Sequence, residues 1–260
     1  TGTYDISTGT AEVVPDEFRD GAYILNVNGV PSSHIVLGEP EELEFEYMRW
    51  IAAAVEHLNS RPANKLRVTH LGGAGCSLPR YFASKLPGSR HTVVELDAKL
   101  GELVRTLFDV PRSPTVNIRA GGARTETEGF LPASRDIIIR DVFAGDKTPA
   151  SLTTVEFFQA AKQALEPGGL YIANCGDHSD LQLAKSELAG LSKVFDHLAV
   201  IADPPMLKGR RYGNIILIAS DTEMPAEGSV EAAQLAKALL GGAVPAHYKD
   251  EAWTRAFFTG

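Results

Sequence analysis

A glycine-rich turn in the first half of the chain constrains the fold more than any other feature of the sequence. A β-type run at residues 66–71 enters the turn, and a helix-compatible run at residues 78–85 leaves it. A second β run follows and ends at Glu95, twenty residues beyond Gly75. Strand, glycine turn, helix, strand and terminal acid, in this order, are the layout of a nucleoside-binding βαβ unit.

The turn and the acid carry different parts of the predicted site. Gly72, Gly73 and Gly75 let the backbone approach a ligand that a Cβ atom would exclude, so we predict that they contact the nucleoside. Glu95 stands where an acid accepts hydrogen bonds from ribose hydroxyls.

The rest of the chain alternates β and α runs and predicts an α/β fold. The predicted strands lie at residues 66–71, 91–95, 115–119, 136–140 and 169–174, and the predicted helices lie near 77–86, 98–108, 152–165 and 179–193. Short apolar strands are typical of a parallel sheet that is covered on both faces. Right-handed crossovers then give a doubly wound sheet. Two later β runs, 194–202 and 214–220, predict an antiparallel pair that closes the sheet.

The two ends of the chain have patterns of their own. Asn28-Gly29 between β runs predicts a hairpin near the N-terminus, and the residues that follow predict a helix over 41–58. We therefore predict three parts: an N-terminal β segment over 1–40, a nucleoside-binding domain over 41–225 and a C-terminal helical tail over 226–260.

Composition excludes several functional classes. The net charge of −8 argues against a general nucleic-acid binder. No apolar run approaches the roughly 18 residues of a membrane span, so we predict no membrane partner. The only cysteines, Cys76 and Cys175, cannot form a disulfide framework, and we expect a cytoplasmic protein. The histidines show no metal-ligand spacing, so we predict no metal and no tightly bound cofactor.

Ligands of open α/β sheets bind outside the carboxyl ends of the strands, which singles out Asp141. This acid follows the apolar run 137–139, where burial would raise its pKa and suit it to act as a general base. The alternative is that Asp141 caps a helix or pairs with Arg140 or Arg124. Tyr47 on a helix could present its hydroxyl to the pocket, although a tyrosine on an apolar stripe is more often a core residue.

The same rule brings Gly122 and Ala123, which follow another strand, to the nucleoside side of the site. Cys76 beside the glycine turn has no paired base in the sequence, so we interpret it as a small packing residue.

Over about residues 20–220 the order of motifs resembles the spermidine synthase family of aminopropyltransferases. The matching segments are Asn28-Gly29-Val30, Glu44-Phe45-Glu46-Tyr47, the turn at 72–76, Val94-Glu95-Leu96-Asp97, Gly122-Ala123-Arg124, Ile138-Ile139-Arg140-Asp141 and the stretch from Thr148 to Phe158. The resemblance implies a fold like that of class I S-adenosylmethionine methyltransferases, with a short N-terminal β-hairpin segment that pairs across a homodimer.

The resemblance also implies roles for individual residues. Glu95 would bind the ribose of decarboxylated S-adenosylmethionine, the co-substrate. Asp141 would be the catalytic base that takes a proton from a small-molecule amine such as putrescine. Tyr47 matches a tyrosine that contacts the polyamine.

Three positions depart from the family pattern where it has acids. Ala74 replaces the acid of the glycine turn, Gly122 replaces the acid that binds adenine, and Ala144 replaces a second polyamine-binding acid. A nearby loop is basic, with Lys208, Arg210 and Arg211. A buried ammonium group without a carboxylate costs several kcal/mol, so the amine half of the site differs from the family more than the nucleoside half.

These observations leave three hypotheses open. The first is a spermidine-synthase-like aminopropyltransferase. The second is an S-adenosylmethionine-dependent methyltransferase on the same scaffold, whose donor keeps its carboxylate. The third is a non-catalytic nucleoside-binding homologue.

Overall fold

The computed structural model describes residues 1–260, and its N-terminal part is a separate antiparallel sheet. Its strands, each paired with the next, are β1 (Gly2–Ile6), β2 (Gly9–Pro15), β3 (Ala22–Val27) and β4 (Val30–Val36). The predicted hairpin corresponds to β3 and β4, and Asn28-Gly29 forms its turn with positive φ at both residues. The prediction was incomplete, because β1 and β2 widen the hairpin into a four-stranded sheet.

A second, eight-stranded sheet forms the body of the protein. Its strands are β5 (Arg67–Leu71), β6 (Arg90–Glu95), β7 (Val116–Ala120), β8 (Arg135–Arg140), β9 (Leu165–Asp177), β10 (His197–Ala202), β11 (Gly213–Ser220) and β12 (His247–Lys249). The helices are α1 (Glu46–Leu58), α2 (Ser77–Lys85), α3 (Ala98–Leu107), α4 (Ala123–Gly129), α5 (Val155–Ala164), α6 (Gln182–Ser192), α7 (Pro204–Leu207), α8 (Val230–Ala238) and α9 (Glu251–Thr259). None of them is both long enough and apolar enough to cross a membrane.

The strand order is β12-β10-β11-β9-β8-β5-β6-β7. Strands β5 to β9 pair in parallel, whereas β11 pairs antiparallel with both β9 and β10. Apolar side chains fill a core on each face: α1, α2 and α8 cover one face, and α5 and α6 cover the other. The predicted doubly wound sheet is confirmed. The strand order reverses between β5 and β8, so the connections that follow these two strands lead to opposite faces of the sheet and leave a cleft between them.

The main part of the chain also differs from the sequence-based elements in several places. Helix α1 begins at Glu46 rather than at residue 41, because Arg49 donates to the carbonyls of Leu43 and Glu44 and holds them in a loop. The short helices α4 and α7 were not predicted. Strand β12 lies at the edge of the sheet inside the segment predicted as a helical tail. The division at residues 40 and 225 stays a prediction.

Asp97 holds the N-terminal sheet against the main sheet. Its carboxylate accepts hydrogen bonds from the Ser7 and Thr8 amides, from the Thr8 hydroxyl, and from the Leu100 amide at the start of α3. Burial by itself would raise the pKa of Asp97, but these hydrogen bonds outweigh it and hold the pKa at about 2. One side chain therefore caps a helix and anchors a loop 89 residues earlier in the chain.

We expect Asp97→Asn to lower the free energy of unfolding at pH 7 by about 2 kcal/mol, since the native pKa lies below that of an unfolded aspartate. A depressed native pKa stabilises the fold above the unfolded pKa, and this stabilisation is lost as the pH falls towards about 2. Urea unfolding of both proteins between pH 2 and pH 7 measures the difference. Asp5→Asn, an exposed acid on β1, serves as the control. A difference in the free energy of unfolding between Asp97→Asn and the parent protein that is independent of pH would contradict the prediction.

Candidate active site

The carboxyl ends of three adjacent strands, β5, β6 and β8, bring the predicted site residues together. The Asp141 amide donates to the Leu71 carbonyl, which sets the end of β8 directly beside the glycine turn. Gly72 has a φ of +78°, and a Cβ atom at this position would overlap the Asp141 carbonyl oxygen. The close approach of the two strand ends therefore requires glycine at this position, whether or not a ligand binds here.

The Asp141 carboxylate is half-buried and is held by two uncharged donors. The Tyr47 hydroxyl donates to Oδ2 at 2.9 Å, and the Asn174 amide nitrogen donates to Oδ1 at 3.2 Å. The ion pairs considered from the sequence do not form: Arg140 pairs with Glu187 of α6, and Arg124 pairs with Glu128. A loop rather than a helix follows Asp141, so the acid caps nothing. Two arguments against a chemical role are thereby removed.

Burial raises the pKa of the Asp141 carboxyl above its usual value, while the hydrogen bonds from Asn174 and Tyr47 and the charge on Arg140 lower it by less. Burial and the neighbouring Asp141 charge raise the pKa of Tyr47 well above its usual value, so Tyr47 is a neutral donor. A carboxylate with a raised pKa and fixed orientation is suited to accept a proton from a bound nucleophile.

Glu95 is the last residue of β6, and it lies beside the glycine turn in the parallel pair of β5 and β6. Its Oε2 accepts a hydrogen bond from the Asp97 amide at 3.0 Å, which fixes the carboxylate at the mouth of the cleft. Burial is the main cause of the raised pKa of Glu95. Leu96, which follows it, is 71% exposed and offers an apolar surface beside the acid. Sequence reasoning about strand ends had not singled out this leucine.

Gly122 and Ala123 lie at the start of α4, where Gly122 is the N-terminal capping residue. The Gly121 amide donates to the Glu95 carbonyl at 3.0 Å. This hydrogen bond links the turn directly to Glu95, the residue predicted to bind ribose. A side chain on Gly121 would meet the Glu126 carboxylate, which explains the glycine by local packing.

Gly75 and Cys76 pack against neighbouring elements. A Cβ atom on Gly75 would lie 2.7 Å from the Ser33 Cβ, and the Gly75 amide donates to the Ser33 hydroxyl. The turn is thus fastened to β4 of the N-terminal sheet. Cys76 is 1% exposed, and burial raises the pKa of its thiol to about 12. It is a packed, unreactive thiol, as the sequence interpretation held.

A buried chain of hydrogen bonds behind the turn was missed at the sequence level. The Ser89 hydroxyl donates to the Leu86 carbonyl at 2.7 Å, so its oxygen accepts from His91 Nε2 at 2.8 Å. His91 Nδ1 then accepts from His70 Nε2 at 2.9 Å. Burial lowers the pKa of His91 to about 4 and that of His70 well below its usual value, so both rings are neutral. His70 keeps Nδ1 as an acceptor and lines a small cavity with Asp141.

Two carboxylates, Asp177 and Asp146, lie near the ends of β9 and β8. Asp177 is fully buried and accepts from the His178 and Ala184 amides, so it organises the start of α6. Asp146 is exposed and lies 3.8 Å from the His178 ring. In the basic loop, Arg211 pairs with Asp203, while Lys208 and Arg210 are exposed. No group of three or more His, Cys, Asp or Glu side chains is arranged to hold a metal ion.

A doubly wound sheet with a glycine turn at the end of β5, an acid at the end of β6 and a half-buried carboxylate at the end of β8 is typical of a group-transfer enzyme of the class I methyltransferase fold. No model of a known protein family matches the chain. The chain is 58% identical to a probable spermidine synthase from Corynebacterium glutamicum, with a TM-score of 0.98 over all of this chain and 94% of that one. The chain belongs to the spermidine synthase family.

Two more distant relatives place this assignment in context. A polyamine aminopropyltransferase of Vibrio vulnificus is 26% identical over 209 residues, which cover 80% of this chain and 66% of that protein. Human methyltransferase-like protein 13, solved in complex with SAH, is 25% identical with a TM-score of 0.61, over 75% of this chain and 90% of that one. The chain spans two thirds or less of the length of the curated relatives it matches. The predicted class I methyltransferase-like fold is confirmed.

Proposed function

We propose that the chain transfers an aminopropyl group from decarboxylated S-adenosylmethionine to the nitrogen of a small amine such as putrescine. Membership of the spermidine synthase family supports this activity over methyl transfer. The observation that carries the proposal is Asp141, a half-buried carboxylate that is oriented by Tyr47 and Asn174 and has no cationic partner. Such a group is free to receive the proton that the reaction releases.

The proposed reaction breaks one bond, forms one bond and transfers one proton to a group in the cleft. The amine nitrogen attacks the sulfur-bound carbon of the aminopropyl group, an N–C bond forms at this carbon, and its C–S bond breaks. Its electron pair returns to sulfur, so the sulfonium leaves as the neutral thioether methylthioadenosine. The nitrogen loses its proton to Asp141. Glu95 holds the nucleoside so that the C–S bond lies in line with the incoming nitrogen.

Calorimetric titration with decarboxylated S-adenosylmethionine, methylthioadenosine and S-adenosylmethionine, each with and without putrescine, tests the proposal. We expect the decarboxylated donor to bind more tightly than the carboxylated one and putrescine to strengthen its binding. Tighter binding of S-adenosylmethionine would contradict aminopropyl transfer, and absence of binding to all three would contradict a nucleoside site.

Replacing Glu95 with alanine should weaken methylthioadenosine binding by about 10- to 100-fold, because hydrogen bonds to a charged group contribute about 1.5–3 kcal/mol. The same titration measures the loss. Glu102→Ala, an exposed acid on α3, is the matched control and should bind like the parent protein. Equal affinity of the Glu95 variant and the control would refute a ribose role for this residue.

Putrescine and n-butylamine are expected to differ by less than about fivefold in kcat/KM, because an exposed ion pair contributes only about 0–1 kcal/mol. Ala74 and Ala144 supply no carboxylate for a second ammonium group, and Asp177 is engaged by α6. Asp146, which is exposed, is the acid left on this side. Initial rates with both amines measure the ratio, and a preference for putrescine above about 100-fold would show that a buried acid holds its far end.

The proposal includes a homodimer in the cytoplasm. Both cysteines are free, which suits a reducing compartment, and β1 has an unpaired outer edge available to a second copy. Light scattering of the purified protein tests the dimer: a mass near twice 27.9 kDa is expected, and a mass near 27.9 kDa would refute it.

A further inference from the structure

A cavity of about 310 Å³ lies apart from the cleft at Asp141 and shares no lining residue with the small cavity there. It is bounded by the loop after β4, by α2 and by the segment between α3 and β7. Its lining includes Arg80, Ala83, Ser84, Asp109, Pro111 and Thr115. This volume is within the range of small-molecule sites, and nothing in the proposed reaction uses it.

Arg80 gives this cavity its chemical character. The side chain is 3% exposed, and its Nη2 donates to the Val36 carbonyl at 3.1 Å. Its Nε is buried and has no hydrogen-bond partner, and no carboxylate lies within ion-pairing distance of the guanidinium. A buried charge without a counter-charge is costly, so an arginine in this state is suited to receive one from outside. Its planar fork of N–H donors matches carboxylate and phosphate groups.

The neighbouring charges compensate Arg80 only in part: the charge of Asp109 raises the pKa of the Arg80 guanidinium, but burial lowers that pKa by more. Arg105 donates to the carbonyls of Pro111 and Val116, so a second arginine without a carboxylate partner stands behind the cavity wall. Asp109 also lines the cavity, but it is exposed and makes no ion pair with Arg80.

We propose that this cavity binds a small organic anion, whose carboxylate or phosphate group pairs with the Arg80 guanidinium. The site is independent of the proposed aminopropyl transfer, because its residues belong to a different cavity. Thr115 supplies a hydroxyl group on the wall for the rest of the ligand, whereas the Ser84 hydroxyl donates to the Glu41 carboxylate at 2.7 Å.

The experiment is thermal unfolding of the full chain in increasing sodium acetate or sodium phosphate, with sodium chloride adjusted to keep the ionic strength constant. A ligand at about five times its Kd should raise Tm by about 2–4 °C in a saturable manner. Arg80→Met removes the pairing group. Ala83→Leu fills the cavity and leaves Arg80 in place. Arg90→Met, which removes an exposed arginine on β6 outside the cavity, is the matched control for charge.

We expect a saturable rise in Tm with anion concentration in the parent protein and in Arg90→Met. This rise should be lost in Arg80→Met and Ala83→Leu. Asp109→Asn should shift the midpoint of the Tm rise to a lower anion concentration, because it removes from the cavity wall a negative charge that repels the anion. A rise that persists in Arg80→Met, or no saturable rise with either anion in the parent protein, would overturn the proposal. If Arg80→Met does not fold, Ala83→Leu and Asp109→Asn decide the question.

Discussion

Replacing Asp141 with asparagine is expected to lower kcat by about 10²- to 10⁴-fold, the range that a general base contributes. The substitution keeps the shape of the side chain and one acceptor oxygen, but it removes the carboxylate that we propose takes the proton. Methylthioadenosine affinity should stay within about twofold of the parent value, because Glu95 and the glycine turn are untouched. Initial rates and calorimetry on the same preparation measure both quantities. An equal loss of rate and affinity would contradict the base role.

Tyr47→Phe is the companion variant, because it keeps the carboxylate and the aromatic ring and removes one hydrogen bond. Activity requires the unprotonated base, so kcat/KM should rise with pH through the pKa of Asp141, which burial places above its usual value. The Tyr47 hydroxyl is among the groups that lower this pKa. Its removal should therefore move the acidic limb of the profile to higher pH, and a shift to lower pH would contradict the assignment.

Local sequence patterns predicted the strand ends that carry the site. An apolar run followed by a glycine or an acid indicates the end of a buried strand, and this local pattern does not depend on distant parts of the chain. Glu95 is the last residue of β6, as the pattern indicates. Asp141 follows β8 for the same reason. The parallel order of the strands then brings both acids to one edge of the sheet.

The partners of these acids could not be predicted in the same way, because they come from distant parts of the chain. Tyr47 lies 94 residues before Asp141, and Asn174 lies 33 residues after it. The resemblance to the family connected Tyr47 with the polyamine, whereas the structure adds its hydrogen bond to the base. His70 lay within an apolar strand pattern, and only the packing of β5 against β6 brings it to His91.

The residue before the catalytic candidate forms the most deeply buried ion pair of the protein. Arg140 is 0% exposed, and its Nη1 and Nη2 donate to the two Glu187 oxygens at 2.7 and 2.9 Å. Burial would lower the pKa of Arg140, but the Glu187 charge more than compensates and raises it. The Leu152 carbonyl and the Tyr171 hydroxyl accept further hydrogen bonds from Nη1. Arg140 therefore stays charged and depends on Glu187 for compensation.

We expect Glu187→Ala to lower the free energy of unfolding by about 3–5 kcal/mol, because it leaves the Arg140 charge buried without a partner. For a chain of this size the loss corresponds to a fall in Tm of about 6–20 °C. Glu128→Ala, which breaks the exposed pair with Arg124, is the matched control and should cost at most about 1 kcal/mol. Urea and thermal unfolding of both variants measure the difference. Replacing Arg140 and Glu187 together with methionine should recover much of the loss, since the penalty lies in the unpaired charge; equal destabilisation by Glu187→Ala and Glu128→Ala would contradict this account.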